Sequence, residues 1–214
     1  MRVLTDIGEV GITFGGRTHV VRPSFYSMSQ IGTPAEIVEA YAALFSAPAL
    51  TGKPWADKPR LRRWGRDRLM TALTVMYACA DPVDDLGPLL GGVSERMGYQ
   101  PGAMPIENII ALARALMRHG IVGDVSTKRA ENGAGDYSST FKARDYVASA
   151  MAHLGASEAD AWNMTMTSFL AAMRAKYPPT DAKGRPINAP TSEQHDATMD
   201  WLARVNAARR KANG

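Results

Sequence analysis

Hydrophobic positions alternate with small or polar ones at the start of the chain, then recur at helical spacing from residue 33 onward. Val10, Ile12 and Phe14 alternate with Gly11 and Thr13, and Gly15-Gly16 supplies the positive-φ pair that a two-residue hairpin turn needs. The return strand, Arg17 to Arg22, is closed by Pro23, which cannot donate to a ladder. A lone hairpin is marginal in water, so this one has to dock. Thr33-Pro34-Ala35-Glu36 then reads as a helix start, with threonine as cap, proline in the first turn and Glu36 reaching back in a capping box. Ile37, Tyr41, Leu44 and Phe45 form its apolar face, and the helix should fail by Pro48.

The stretch from Ala47 to Pro59, rich in proline and tryptophan, reads as a loop. A helix from about Arg60 to Ala80 follows, with Leu61, Trp64, Leu69, Leu73, Met76 and Tyr77 on its apolar side and Asp81-Pro82 as its stop. Gly65 weakens it by roughly 1 kcal/mol relative to alanine. A short helix is predicted over Val83 to Leu90, before Gly91-Gly92. Pro105 to His119 is the clearest amphipathic helix: Ile106, Ile109, Ile110, Ala113, Leu116 and Met117 share a face, with Gly120 as C-cap. Asp124 to Asp136 is polar and reads as a loop.

Phe141 to Leu154 is the next helix, ended by Gly155; Ser157 caps a short one through Trp162, and Thr165 or Thr167 begins another that ends before Pro178-Pro179. Thr180 to Pro190 reads as a linker. Thr191 with Gln194 makes a second capping box and opens a last helix with Met199, Leu202 and Val205 on one face and Arg209-Arg210-Lys211 at its end. There is no internal repeat and no sustained heptad. The pattern predicts a mainly α fold with a short N-terminal β-hairpin, in three parts (1–123, 137–179 and 180–214) that read as one domain overall.

Composition changes little in this picture. The 214 residues, 45% hydrophobic and 21% charged, are ordinary globular material, and a net charge of +4 is too weak to imply nucleic acid by itself. One cysteine, Cys79, rules out an intramolecular disulfide and makes a thiolate zinc site untenable; within LMTALTVMYACA it reads as a small buried hydrophobe. The N-terminus lacks the apolar core of a secretory signal, and the longest apolar runs fall far short of the ~18 to 20 residues that span a bilayer. Cytoplasmic residence is therefore expected.

Candidate chemistry is sparse. Arg60, Arg62, Arg63, Arg66 and Arg68 are offset within that stretch by Asp67 alone, and they fit two readings. One is an anion or nucleic-acid patch in which Trp64 stacks on a base; the other is a solvated helix face whose arginine stems cover apolar surface. His19, His119, His153 and His195 lie at least 34 residues apart, so no metal site is expected. Asp81, Asp84 and Asp85 suit a helix's first turn and lack calcium-loop spacing. The glycine pairs form neither a P-loop nor a dinucleotide fingerprint, and no serine has a nucleophile-elbow context. An enzyme would need residues such as Asp84, Asp85 and His119 to converge in the fold. Neither catalytic residues nor a cofactor are expected.

Trp162, Met164, Met166, Phe169, Met173 and Tyr177 fall within 16 residues, and the chain has 12 methionines. Met166, Leu170, Met173 and Tyr177 follow helical spacing along one side. Such a stripe is either core or an adaptable surface that grips apolar partners, with Trp162 as its anchor.

Two passages carry a resemblance. IGEVGITFGGRTHVVRPSFYSMSQIGTPAEIVEAYAALF, residues 7 to 45, and FKARDYVASAMAHLGASEADAWNMTMTSFLAAMRAKYPP, residues 141 to 179, resemble proteins encoded in tail-gene clusters of long-tailed bacteriophages and prophages. The DAWNMTMTSF and AMRAKYPP portions look like the pattern of tail assembly chaperones. The resemblance implies a non-enzymatic helper in virion morphogenesis, coating the long tape-measure protein and recruiting tail-tube subunits in the cytoplasm of the bacterial host. Trp162, Met164, Met166, Phe169, Met173 and Tyr177 are the positions it marks for partner binding. Self-association is compatible with it. No membrane partner is implied, and nucleic acid is the weaker expectation. The basic residues Arg60, Arg62, Arg63 and Arg66 lie outside both passages. A structural subunit of the mature tail is the nearest rival.

Overall fold

In the computed structural model, which describes residues 3–94, 98–123, 139–178 and 199–201, the expected hairpin forms. β1 (Val10–Phe14) pairs antiparallel with β2 (Arg17–Val21), Val10 opposite Val21 and Phe14 opposite Arg17, and Gly15 (φ 56°) with Gly16 (φ 77°) makes the turn. The hairpin docks by β2, where His19 and Val21 are buried while Gly11, Thr13 and Phe14 of β1 face solvent. Three hydrogen bonds fasten its base. The buried Glu9 carboxylate accepts from Arg22 Nε at 2.5 Å and from the Leu4 N–H at 2.8 Å, and the Arg22 N–H donates to the Cys79 carbonyl at 2.8 Å.

A short helix absent from the periodicity, α1 (Phe25–Ser29), follows; the Ser24 hydroxyl accepts from the Ser27 N–H, and Phe25 and Met28 are fully buried. α2 (Pro34–Phe45) begins with both bonds of the capping box, Glu36 N–H to Thr33 Oγ1 and Thr33 N–H to Glu36 Oε2 at 2.7 Å. Hydrogen bonding from the Thr33 N–H first, and then from the Thr33 side chain, holds the Glu36 carboxyl below its ordinary value.

The next helix corrects the sequence reading. α3 spans Pro54–Cys79, so half of the expected loop is helical and Pro59 sits inside the helix. Pro54 takes the first-turn position where its missing N–H is harmless. The Asp57 carboxylate then accepts the N–H and the hydroxyl of Thr51, each at 2.8 Å, and ties the preceding loop to the helix. Pro59 forfeits one backbone bond, and the helix runs through it.

The expected helix over Val83 to Leu90 shrinks to α4 (Gly87–Leu90). Asp81 and Asp85 are turn formers ahead of it, their Oδ1 atoms accepting from the Val83 and Gly87 N–H groups at 3.0 Å. A second antiparallel pair, β3 (Gly91–Ser94) with β4 (Gly98–Pro101), was not anticipated. Tyr77 and Tyr99 hold it, their hydroxyls donating to the Gly91 and Leu90 carbonyls at 3.1 and 2.7 Å.

α5 (Ile106–Met117) carries the expected face, with Ile109, Ala113, Leu116 and Met117 fully buried. It packs along α3, which buries Leu69, Ala72, Leu73 and Met76. Gly120 is not its cap. The chain continues as a π-turn, Arg118–Val122, and Gly123 (φ 79°) ends it; Gly120 is buried instead, where an added Cβ would lie 2.6 Å from Met28 Sδ. α6 (Ala143–Ser149) ends the same way, in a π-turn Ala150–Leu154 closed by Gly155 at φ 69°.

Ser157 caps α7 (Glu158–Asn163) as expected, and Thr165 precedes α8 (Met166–Lys176), its hydroxyl accepting the Ser168 N–H at 3.2 Å. The architecture among the described residues is mainly α with two short strand pairs. The chain falls into two compact units, Met1–Ala172 and Met173–Gly214. In the second, residues 199–201 are helical and Met199 and Trp201 are exposed. The loop at 124–136, the linker at 180–190, the Thr191–Gln194 capping box and the helix positions Leu202 and Val205 lie outside the described residues, as does the basic end at 209–211.

Candidate functional site

The portions of the two resembling passages that lie in the first unit, 7–45 and 141–172, fold onto each other. The Phe25 N–H donates to the Met164 carbonyl at 2.8 Å, Ser24 and Thr165 form a β-bridge, and the Phe141 N–H donates to the Pro34 carbonyl at 2.8 Å. Four rings seal the clasp: Tyr146 stacks on Phe25 (5.6 Å) and Phe141 (5.3 Å), and Phe169 meets Phe25 and Tyr146 edge-on at 5.9 and 5.8 Å. These edge-on and offset contacts are the favoured aromatic geometries.

The six marked residues divide on this scaffold. Met166 and Phe169 are buried and belong to the core. Trp162, Met164 and Met173 are half-buried, and Tyr177 is 52% exposed. Trp162 Nε1 reaches back to Glu158 Oε1 at 3.4 Å, a long bond that holds the indole against its own helix. The stripe is thus core at one end and open at the other. A residue the sequence did not single out, Tyr26, is 54% exposed at the clasp. Its place right after buried Phe25 was the only signal.

Tyr26 also borders a cleft of about 600 Å³ whose walls include Thr18, Arg22, Gln30, Tyr77 and Asn163. Cys79 lies in its floor, and burial pushes that thiol well above its ordinary range, so it acts as the small hydrophobe expected and not as a nucleophile. Asp84 stands beside the cleft with Oδ2 at 3.2 Å from His19 Nδ1, off the line a hydrogen bond needs. Asp84, Asp85 and His119 have separate partners: Asp84 faces His19, Asp85 caps a turn, and His119 Nδ1 bonds to Thr167 Oγ1 at 2.9 Å. Among the described residues no three His, Cys, Asp or Glu side chains are grouped to hold a metal ion.

The basic cluster occupies the N-terminal half of α3. Arg60, Arg62, Arg63 and Arg66 are all exposed. Because the helix starts at Pro54, Trp55 and Lys58 join them. Trp55, Lys58, Pro59, Arg62, Arg63 and Arg66 line one shallow depression of about 610 Å³, and Trp55 is 78% exposed. Arg60 and Arg63 border a second depression on the other flank, with Trp64 and Arg68. Trp64, expected on the apolar side of the helix, is not the free aromatic that base stacking would need. It is half-buried, and the Arg68 guanidinium lies 4.8 Å from its ring centroid, so its face is occupied. Burial, then neighbouring Arg114, lowers the Arg68 pKa from its ordinary value, yet a guanidinium stays charged at neutral pH. Asp67 touches Arg63 and Arg66 only at 3.6 and 3.7 Å, through exposed atoms, and such bridges neutralise little.

Among the described residues, no helix is long and apolar enough to cross a membrane. These features belong to a mainly α protein whose candidate surfaces are an aromatic clasp and a basic helix face. A family model covers most of this ground: residues 21–197 match a family of unknown function, DUF6246, and the chain belongs to it. No curated protein and no solved structure matches the chain.

Proposed function

We propose that the protein is a non-enzymatic helper of phage tail assembly, a chaperone or adaptor that binds the tape-measure protein or tail-tube subunits. The reading rests on the resemblance of residues 7–45 and 141–179 to tail assembly chaperones. One observation carries it further. The two passages build a single clasp and leave Tyr26, Trp162 and Met164 partly uncovered at it, while Phe25, Met166 and Phe169 hold the fold from within. Aromatic and methionine side chains on a rigid support suit the gripping of an amphipathic helix from a partner.

Co-expression with the tape-measure protein of the same gene cluster, followed by size-exclusion chromatography with light scattering, tests this. Co-elution with rescued solubility is expected, and Trp162→Ala is expected to weaken it while the variant keeps its circular dichroism spectrum. Clean separation with the tape measure still insoluble overturns the reading. Recovery of the protein in fixed copy number from purified particles would instead make it a structural tail subunit.

A further inference from the structure

The basic face of α3 is outside the passages that carry the tail-assembly reading, and nothing in that reading uses it. Trp55, Lys58, Arg62 and Arg66 succeed one another at steps of three or four residues, so they form one stripe along the helix, and Pro59, four residues after Trp55 and three before Arg62, lies beside it. Eleven residues of helix make that stripe about 16 Å long. Arg63 widens it, and the six side chains share a shallow open depression. From Lys53 to Arg68 the sequence has seven cations against two acids. One of the two, Asp57, is turned inward and bonded to Thr51, which leaves Asp67 as that segment's one exposed acid. At the end of the stripe the Trp55 ring stands free, unlike Trp64, whose ring is covered by Arg68.

From this arrangement we infer that the Trp55–Arg66 face of α3 binds single-stranded nucleic acid, the guanidinium groups tracking phosphates and the Trp55 indole stacking on a base. Three features select this occupant. Planar guanidinium forks match phosphate oxygens better than ammonium groups do, and three of the four cations lining the stripe are arginines. An open aromatic beside a cationic track is the arrangement by which strands are bound without sequence preference. The depression is shallow and open, and cations supply four of its six lining side chains, Trp55 and Pro59 being the others.

Fluorescence anisotropy of a labelled 20-nucleotide oligothymidylate with the full chain tests the inference. With Lys58, Arg62, Arg63 and Arg66 each displacing about one counterion, the log–log salt slope is expected near −3, a loss of about 50-fold between 50 and 200 mM salt. Trp55→Ala is expected to weaken binding about 5- to 150-fold, the worth of one stacked base. R62E/R66E is expected to abolish binding, and K142E/R144E, which removes the same charge from an exposed stretch elsewhere, to leave it unchanged. Should the R62E/R66E spectrum show unfolding, R62Q/R66Q replaces it. Absence of binding at 50 mM salt overturns the inference, as does equal loss in K142E/R144E. Wild-type affinity in Trp55→Ala together with full competition by polyglutamate also overturns it, and assigns the face to an acidic protein partner.

Discussion

At Gly91 and Gly102 two stretches of bare backbone touch. A Cβ added to Gly102 would stand 2.4 Å from the Gly91 nitrogen and 2.5 Å from the Leu89 carbonyl oxygen; one added to Gly91 would stand 2.2 Å from the Gln100 carbonyl oxygen. None of these neighbours is the tip of a side chain that can swing away, and Gly91 also has φ 85°, which L residues rarely adopt. Gly92, one residue on, has open space around it. Gly102→Ala is therefore expected to cost at least about 1–3 kcal/mol, as overpacking does, and Gly92→Ala no more than about 0.5 kcal/mol. Urea denaturation of the pair measures the difference, and equal midpoints would show that β3 and β4 do not approach so closely. Gly120 is a milder case, because the atoms it meets belong to the flexible Met28 side chain.

At the scale of elements, the aromatic clasp is where stability and the proposed function separate. Phe169 contacts both Phe25 and Tyr146 and is buried, so Phe169→Ala is expected to cost about 3–5 kcal/mol, the usual penalty for emptying a large aromatic site. Exposed Tyr177, only two helical turns further on, should change stability by no more than about 0.5 kcal/mol when truncated. Thermal or urea unfolding decides this, and similar losses at both sites would mean the stripe is core throughout. The stripe's spacing predicted that these residues share a side of a helix, but not where that side passes from core to solvent. That boundary depends on α1 and α6, which are far away in sequence. The hairpin and the α2 capping box were legible because each is specified by four to thirteen consecutive residues. The start of α3 was not, because Pro59 obeys a local rule for breaking helices that the Thr51–Asp57 bonds and the long helix override. With that start misplaced, Trp55 and Lys58 fall in the expected loop and outside the basic helix face. The π-turns after α5 and α6 leave no mark in a hydrophobic period, which is why Gly120 looked like a cap.

Over the whole molecule, the distribution of charge says more than its total. The segment from Lys53 to Arg68 has an excess of five positive charges, more than the +4 of the entire chain, so the remainder is almost neutral. Lys58–Arg62 and Arg62–Arg66 are like-charge pairs four residues apart on one helix, each unfavourable by about 0.2–0.5 kcal/mol, and the three-residue pairs Arg60–Arg63 and Arg63–Arg66 add to them. Asp67 offsets only part of this from its exposed position. The face is therefore held together against its own repulsion, by about 1 kcal/mol in sum. Screening relieves such repulsion, because the charges are solvent-exposed and salt shortens their reach below the stripe's length. Raising sodium chloride from 20 to 500 mM is thus expected to increase the Tm by about 2–4 °C, the shift that 1 kcal/mol produces in a chain of this size. In R62E/R66E two of the four repulsive pairs, 58–62 and 63–66, become attractive while 60–63 and 62–66 stay repulsive, so the sum falls near zero and the same salt should leave the Tm nearly unchanged. Differential scanning calorimetry of both proteins across the salt series makes the comparison. A wild-type Tm that falls with salt in parallel with the variant would mean that the α3 arginines do not repel one another.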